Sequence, residues 1–166
     1  MSSEKEVLTW DEFGQAARVL ARQVKDSKWE PDLLVALARG GLIPGGAVAY
    51  ALGLRTIGSV NMEFYTGEGT TLEEPIILPP YMEVSADLGP RALIVDDVAD
   101  SGRTLQKTVD LLSKQGVKDR LGKLVHFEVR TAVLYEKPGS VVKPDYRWRQ
   151  TERWISFPWS SQPPVQ

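Results

Sequence analysis

Residues 92–105 restrict the fold of this chain more than any other segment. Residues 92–96 form an apolar run of the kind found in strands that are buried on both faces of a parallel sheet. The run delivers Asp96 and Asp97 to its carboxyl end, where α/β proteins place their ligands. A polar turn then opens a stretch with the apolar spacing of a helix. The segment therefore predicts a strand, a turn and a helix that belong to an α/β fold.

The same alternation continues along the rest of the chain. Apolar runs predict further strands at residues 33–37, 55–65 and 129–135. Helical spacing predicts a first helix capped by Thr9 with Glu12 and ended by Pro31. A glycine-rich turn, residues 39–46, leads into a second helix that ends near Gly53, and a third helix ends at Gly116. We therefore predict a mainly parallel central sheet flanked by helices.

Length and composition limit the organisation further. The 166 residues suit one domain, residues 1–166, and 42% hydrophobic with 25% charged residues is typical of a globular protein. Residues 66–82 carry Thr, Gly, Glu and Pro without periodicity, which predicts a long mobile loop. The longest apolar stretch, residues 42–54, is broken by Pro44 and glycines and is shorter than the roughly 20 residues of a membrane helix. With no apolar leader at the start, we expect a cytoplasmic protein that binds no membrane.

Composition also excludes several kinds of chemistry. The chain has no cysteine, so thiol catalysis and cysteine-bound zinc are excluded. His126 is the only histidine, which leaves too few imidazoles for a histidine-rich metal site. A formal net charge of −2 argues against general binding to nucleic acid.

The polar turn after the acidic pair has the chemistry of a phosphate site. Its backbone amides, together with the hydroxyls of Ser101 and Thr104, suit a phosphate monoester at the start of a helix. With Asp96 and Asp97 beside it, the segment suits a phosphorylated sugar bound with Mg²⁺. The alternative is that the acids only cap the following helix.

Residues 92–105 resemble the signature with which type I phosphoribosyltransferases bind 5-phosphoribosyl 1-diphosphate (PRPP): an apolar strand, two acids and then Asp-Ser/Thr-Gly-x-Thr. The resemblance implies that Asp96 and Asp97 hold the ribose hydroxyls and contact Mg²⁺, mainly through those hydroxyls or water. It implies that the 5′-phosphate is bound by Asp100, Ser101, Gly102, Arg103 and Thr104. It also implies that Asp100 faces the base and accepts its proton, whereas the alternative is that Asp100 only caps the third helix.

The glycine-rich turn gains meaning from its place upstream of that signature. It lacks the lysine of a Walker loop, because Ala47 stands at that position. Residues 38–44 are similar to the diphosphate loop of bacterial and archaeal purine phosphoribosyltransferases. The resemblance implies that Arg39 supplies charge to the leaving diphosphate, that Gly40 lets backbone amides approach it, and that the peptide between Ala38 and Arg39 is cis.

The C-terminal part resembles the hood that covers the base in short prokaryotic 6-oxopurine phosphoribosyltransferases, here residues 136–160. The resemblance implies that Lys137 donates to purine O6, a choice that suits a donor-only ammonium, and that Lys143 is its competitor for this role. Trp154 would supply a stacking face and Ile155 a backbone carbonyl. Ser156 stands where some relatives have an acid that helps to bind metal.

Together these resemblances predict an enzyme of purine salvage. It would transfer the 5-phosphoribosyl group of PRPP to hypoxanthine, guanine or xanthine with Mg²⁺ and release diphosphate, as a homodimer or homotetramer that binds no nucleic acid. Three alternatives remain: a PRPP-sensing transcriptional regulator of the same fold, a phosphoribosyltransferase for a pyrimidine or for xanthine alone, and a receiver domain with an acidic pocket.

Overall fold

The computed structural model describes residues 4–65, 71–77, 88–119 and 121–166. The strands in chain order are β1 (Glu6–Val7), β2 (Leu33–Ala38), β3 (Ile57–Tyr65), β4 (Thr71–Ile77), β5 (Arg91–Ala99), β6 (Val117–Lys118), β7 (Leu124–Val125), β8 (Glu128–Glu136), β9 (Tyr146–Gln150) and β10 (Ile155–Ser156). The α-helices are α1 (Trp10–Asp26), α2 (Leu42–Leu52) and α3 (Arg103–Asp110); α3 continues as a π-helical segment (Leu111–Gln115) that ends at Gly116, as predicted, and Pro158–Ser160 form a 3-10 helix.

Six of these strands form a central sheet in the order β4-β3-β2-β5-β8-β9. All neighbouring pairs are parallel except β3 with β4. Strand β5 lies between β2 and β8, so the acidic pair is carried by an inner strand of the sheet. The predicted fold class, a mainly parallel sheet flanked by helices, is confirmed.

Apolar clusters cover both faces of the sheet. Leu93 and Val95 of β5 pack with α1 and α2 on one face, while Ala92 and Ile94 pack on the other face with Leu105 of α3. Since successive strand residues point to opposite faces, a strand covered on both sides must be apolar at every position. This double coverage explains the uninterrupted run that the sequence shows before Asp96.

Two predicted element boundaries are wrong by several residues. Helix α1 ends at Asp26, ahead of Pro31, and its last turn is capped by the backbone of Ser27. Helix α2 already begins at Leu42, so the true turn after β2 is residues 39–41 rather than 39–46. A proline at position 44 is tolerated because the first-turn N–H groups of a helix have no intrahelical partner.

The segment predicted as one long loop, residues 66–82, is partly a strand. Strand β4 occupies Thr71–Ile77 and pairs antiparallel with β3. Strand β4 is the edge of the sheet, and an edge strand accepts the proline at position 75. The prediction is therefore wrong for residues 71–77, and the rest of the segment lies outside the described residues.

Two small strand pairs complete the fold. Strands β6 and β7 form an antiparallel ribbon in the connection from α3 to β8. Strand β1 pairs in parallel with β10 and so joins the start of the chain to its C-terminal part. None of the helices in the described ranges has both the length and the apolar character needed to span a membrane.

Candidate active site

The turn between β5 and α3 has its geometry set by Gly102. This residue is the N-cap of α3 with φ 78°, a left-handed conformation that favours glycine. A Cβ at this position would also lie 2.4 Å from Ser140 Oγ. The Arg103 amide, the first of α3, donates to Ser101 Oγ at 3.3 Å, and among the described residues no hydrogen bond joins the Asp100 side chain to the helix, so the interpretation of Asp100 as its cap is wrong. The Asp100 side chain is exposed and open to a ligand.

The segment that follows β8 supports this turn from outside. The Lys137 amide donates to the Ala99 carbonyl at 2.9 Å, and the Val141 amide donates to the Ser101 carbonyl at 2.9 Å. Residues 100–104, predicted above to bind phosphate and called the phosphate turn below, are therefore held next to Lys137 by backbone hydrogen bonds. A single ligand could therefore contact both this turn and Lys137.

Asp96 and Asp97 lie within β5, not beyond its end, and both are half-buried. The Asp97 amide donates to Asp96 Oδ1 at 2.8 Å, and the Val98 amide donates to Asp97 Oδ1 at 2.7 Å. Burial raises the pKa of Asp96 well above its usual range, and the neighbouring Asp97 carboxylate raises it further. Burial also raises the pKa of Asp97. Hydroxyl donors or a cation bound next to the two carboxylates would stabilise their charged form.

The donor set of this pair is suited to Mg²⁺ that is shared with a substrate. Within the described ranges, no three or more His, Cys, Asp or Glu side chains form a cluster that could hold a metal ion. Mg²⁺ in phosphate sites is commonly held by one or two carboxylates, with water and phosphate oxygens completing the coordination. Asp96 and Asp97 fit such a shared site.

The turn after β2 lies against the acidic pair. The peptide between Ala38 and Arg39 is cis, as predicted. A Cβ at Gly40 would lie 2.3 Å from Asp97 Oδ2, and one at Gly41 would lie 2.4 Å from the Val95 carbonyl oxygen. Only glycine allows this approach, which places the exposed Arg39 next to the carboxyl end of β5.

Two clefts open beside the phosphate turn and share two residues. The base cleft, about 320 Å³, is lined by Lys5, Val98, Asp100, Lys137, Trp154, Ile155, Ser156, Phe157, Ser160 and Ser161. The turn cleft, about 620 Å³ and more open, is lined by Asp100, Ser101, Lys137, Pro138, Gly139 and Glu152. Asp100 and Lys137 border both clefts. The candidate phosphate site and the candidate base site therefore meet at these two side chains.

Lys137 and Lys143, the two candidates for the contact with purine O6, lie in different surroundings. Lys137 lines the base cleft, where its ammonium donates to the Arg153 carbonyl. Lys143 Nζ lies 3.4 Å from Oε1 of Glu136, a carboxylate that is fully buried. Arg147 Nη1 also donates to Glu136, at 2.7 Å. Lys143 borders neither of the two clefts.

The hood contains one element that the sequence did not predict. Strand β1 pairs with β10 and brings Lys5 into the base cleft beside Trp154 and Ile155. Trp154 is 69% exposed and offers a ring face to a ligand, while Ile155 is buried. A two-residue strand carries no periodicity, so nothing in the sequence pointed to β1 or to Lys5.

Comparison with known proteins identifies the class. Residues 3–164 match the phosphoribosyl transferase domain model, so the chain belongs to this family, as the resemblance predicted. It is an enzyme of that family.

Individual relatives narrow the comparison. The chain is 34% identical over 158 residues to xanthine-guanine phosphoribosyltransferase of Gluconobacter oxydans (strain 621H), covering 94% of this chain and 84% of that protein. It is 29% identical over 163 residues to the protein of the same name from Ruegeria sp. (strain TM1040), covering 92% and 83%. The crystal structure of purine phosphoribosyltransferase from Pyrococcus horikoshii Ot3 superposes with a TM-score of 0.74 at 34% identity, covering 98% and 97%.

Proposed function

We propose that this protein transfers the 5-phosphoribosyl group of PRPP to a 6-oxopurine, namely hypoxanthine, guanine or xanthine, and releases diphosphate in purine salvage. The observation that carries the proposal is the meeting of the turn cleft and the base cleft at Asp100 and Lys137. One cleft offers phosphate-binding amides and the other a ring face with a cation, as a sugar phosphate and a purine require. The xanthine-guanine enzymes among its relatives support the same reaction.

PRPP occupies the side of the site formed by β2, β5 and α3. The amides and hydroxyls of residues 100–104, at the start of α3, hold the 5′-phosphate. Asp96 and Asp97 accept hydrogen bonds from the ribose hydroxyls. Arg39 and the amides at Gly40 stabilise the diphosphate as it leaves. All of these groups come from the carboxyl ends of adjacent parallel strands, where α/β folds bind ligands.

Mg²⁺ would be held by Asp96 and Asp97, mainly through the ribose hydroxyls or water. When bound, it supplies positive charge that neutralises the diphosphate leaving group. Ser156, which lines the base cleft, offers a neutral hydroxyl where some relatives have an acid. The protein therefore binds metal chiefly from the PRPP side.

The purine enters the base cleft with its ring against Trp154. Lys137 donates to O6, and because an ammonium only donates, it favours a 6-oxo group over a 6-amino group. The Ile155 carbonyl accepts from the edge of the ring. Asp100, at the junction of both clefts, accepts the proton that the base loses, from N7, when N9 attacks the ribose carbon.

The protein acts in the cytoplasm as a homodimer or homotetramer. A surface of apolar side chains supports self-association. Leu42, Ile43 and Tyr50 of α2 and Ile57 of β3 are 38–92% exposed, and Tyr50 and Ile57 line one cleft. Exposed apolar side chains that lie together commonly mark contact surfaces.

Diphosphate release with PRPP and Mg²⁺ against a panel of bases tests the proposal. Hypoxanthine, guanine or xanthine should release diphosphate together with the matching nucleoside 5′-monophosphate, whereas adenine, uracil and orotate should not. Omission of the base controls for PRPP hydrolysis. Turnover with orotate or uracil alone would favour a pyrimidine enzyme, and PRPP binding without turnover of any base would favour a regulator.

A further inference from the structure

Lys5 is a second lysine in the base cleft. Its position is set by the pairing of β1 with β10. The Glu6 amide donates to the Trp154 carbonyl at 2.9 Å, and the Leu8 amide donates to the Ser156 carbonyl at 3.0 Å. Lys5 directly precedes β1 and therefore lies beside Trp154, the residue expected to stack on the purine.

Ion pairs on both sides of Lys5 stabilise this placement. Glu4 Oε2 lies 3.3 Å from Arg153 Nη2, and Glu6 Oε1 lies 3.6 Å from Arg149 Nη1. Both neighbouring carboxylates are thus engaged by arginines of the C-terminal part. In the described part of the chain, Lys5 itself forms no ion pair. Its ammonium is available to a ligand in the cleft.

The two clefts fix which end of a purine Lys5 can reach. Asp100 and Lys137 border both clefts, whereas Lys5 borders only the base cleft. A purine with N7 towards Asp100 and O6 towards Lys137 directs its C2 atom away from the turn cleft. The C2 substituent therefore points into the part of the base cleft that does not adjoin the turn cleft, and Lys5 is among the residues that line the base cleft alone.

Three backbone carbonyls beside Lys5 already accept hydrogen bonds within the protein. The Trp154 carbonyl accepts from the Glu6 amide, the Ser156 carbonyl from the Leu8 amide, and the Arg153 carbonyl from the Lys137 ammonium. An amino group on C2, as in guanine, needs an acceptor, whereas an oxygen on C2, as in xanthine, needs a donor. Lys5 is a donor only. The Ile155 carbonyl is assigned to the N–H groups at the edge of the ring, so Lys5 is the group that distinguishes the two substituents, and it matches an oxygen on C2 better than an amino group.

We propose that Lys5 is a specificity-determining residue that donates a hydrogen bond to the C2 oxygen of the base, so that it favours xanthine over guanine. This inference rests on the proposed function and names the preferred substrate of that same site. Hypoxanthine, which carries only hydrogen at C2, gains nothing from Lys5. It therefore serves as an internal reference for every variant.

The test compares wild type with Lys5→Met, which keeps the length of the side chain and removes the donor. Steady-state kcat/KM is measured for xanthine, guanine and hypoxanthine at saturating PRPP. Loss of a charged donor should lower the xanthine value about ten-fold and leave hypoxanthine within about two-fold. Lys118→Met is the matched control, because Lys118 is exposed on the β6–β7 ribbon and borders neither cleft.

Three outcomes would overturn the proposal: wild type that does not use xanthine, an unchanged ratio of xanthine to guanine in Lys5→Met, or an equal loss with all three bases. Absence of turnover with every base would contradict the proposed function instead. In that case equilibrium binding of xanthosine and inosine 5′-monophosphates to the same variants decides the point. A selective loss of about ten-fold for the xanthosine nucleotide supports the role of Lys5, and equal affinities refute it.

Discussion

Asp100 shows how the structure separates two roles that the sequence left open. An aspartate before a helix is commonly its cap, yet the N-cap of α3 is Gly102, and the side chain that accepts from the first amide of the helix is that of Ser101. Asp100 instead lies exposed where the base cleft and the turn cleft meet. A carboxylate that contributes nothing to the helix and faces both clefts is free to serve catalysis.

We therefore expect Asp100→Asn to fold with an unchanged Tm and to bind PRPP, because the side chain caps nothing. Loss of the proton acceptor should lower kcat by roughly a hundred-fold or more, within the range of about 10²–10⁴ typical of a positioned general base. Stopped-assay kinetics and thermal denaturation of the same preparation measure the two effects. Near-normal turnover would remove Asp100 from the mechanism.

Lys137 and Lys143 should respond differently to the same substitution. Lys137→Met should lower kcat/KM for the purine by roughly ten-fold or more and leave PRPP binding nearly unchanged, since O6 would lose its donor. Lys143→Met should instead lower Tm, because the buried Glu136 carboxylate loses one of its cations. Parallel kinetics and denaturation distinguish the lysines. The opposite pattern would mean that Lys143 contacts the base.

At the residue scale, sequence alone could relate candidate site residues to one another where they are contiguous in the chain. Asp96, Asp97 and the turn from Asp100 lie on one strand, turn and helix, so their relation to each other follows from local structure alone. Lys5 lies in the base cleft only because β1 pairs with β10, about 150 positions along the chain, and two strands this short leave no signature. The choice between Lys137 and Lys143 required the direction of each side chain, which sequence spacing does not give.

At the scale of elements, buried strands were predicted best and α2 least well. Strands such as β2 are covered on both faces, and this coverage appears in the sequence as a continuous apolar run. Helix α2 is mostly apolar, with glycines and a proline in its first two turns, so helical periodicity does not mark its start. The loop prediction for residues 66–82 is wrong at β4, because this edge strand contains a proline and shows no alternation of apolar and polar residues.

The exposed face of α2 gives a prediction at this scale. Tyr50, in the last turn of α2, is 92% exposed and lines a cleft together with Ile57. If a second copy covers this surface, Tyr50→Asp would bury an unpaired carboxylate and weaken association by more than about ten-fold in Kd. Light scattering after size exclusion should then show dissociation towards the 18.5 kDa monomer.

Val19→Asp on α1 is the matched control for that experiment, since Val19 is also apolar and partly exposed, at 37%, but lies on another helix. Wild type and this control should share one oligomeric mass. Wild type at 18.5 kDa would contradict self-association, and an oligomer unaffected by Tyr50→Asp would place the contact elsewhere.

At the scale of the whole molecule, the proposed function assigns the two substrates to different parts of the chain. The PRPP side comes from β2, β5, α3 and the turns after both strands. The base side comes from β10 with its flanking loops and from β1 at the other end of the sequence. Among the described residues, Asp100 and Lys137 are the two that border both clefts. Binding of PRPP alone should therefore stabilise the central sheet before a base is present.

This division predicts how PRPP and Mg²⁺ act on stability. A ligand that binds only the folded state stabilises it by about 2.7 kcal/mol at a concentration of 100 Kd. For a chain of this length, that free energy corresponds to a rise in Tm of about 5–10 °C.

The rise in Tm with PRPP should require Mg²⁺ and disappear with EDTA, because in the proposed metal site the diphosphate and ribose oxygens complete the coordination that Asp96 and Asp97 begin. Ribose 5-phosphate is the control, since it fills the phosphate turn without a diphosphate and should give a smaller shift that EDTA leaves largely unchanged. Differential scanning fluorimetry measures all of these shifts on one preparation. A PRPP shift that is equal with and without EDTA would contradict a metal site shared with the diphosphate and would leave Arg39 and the backbone amides as its main binding groups.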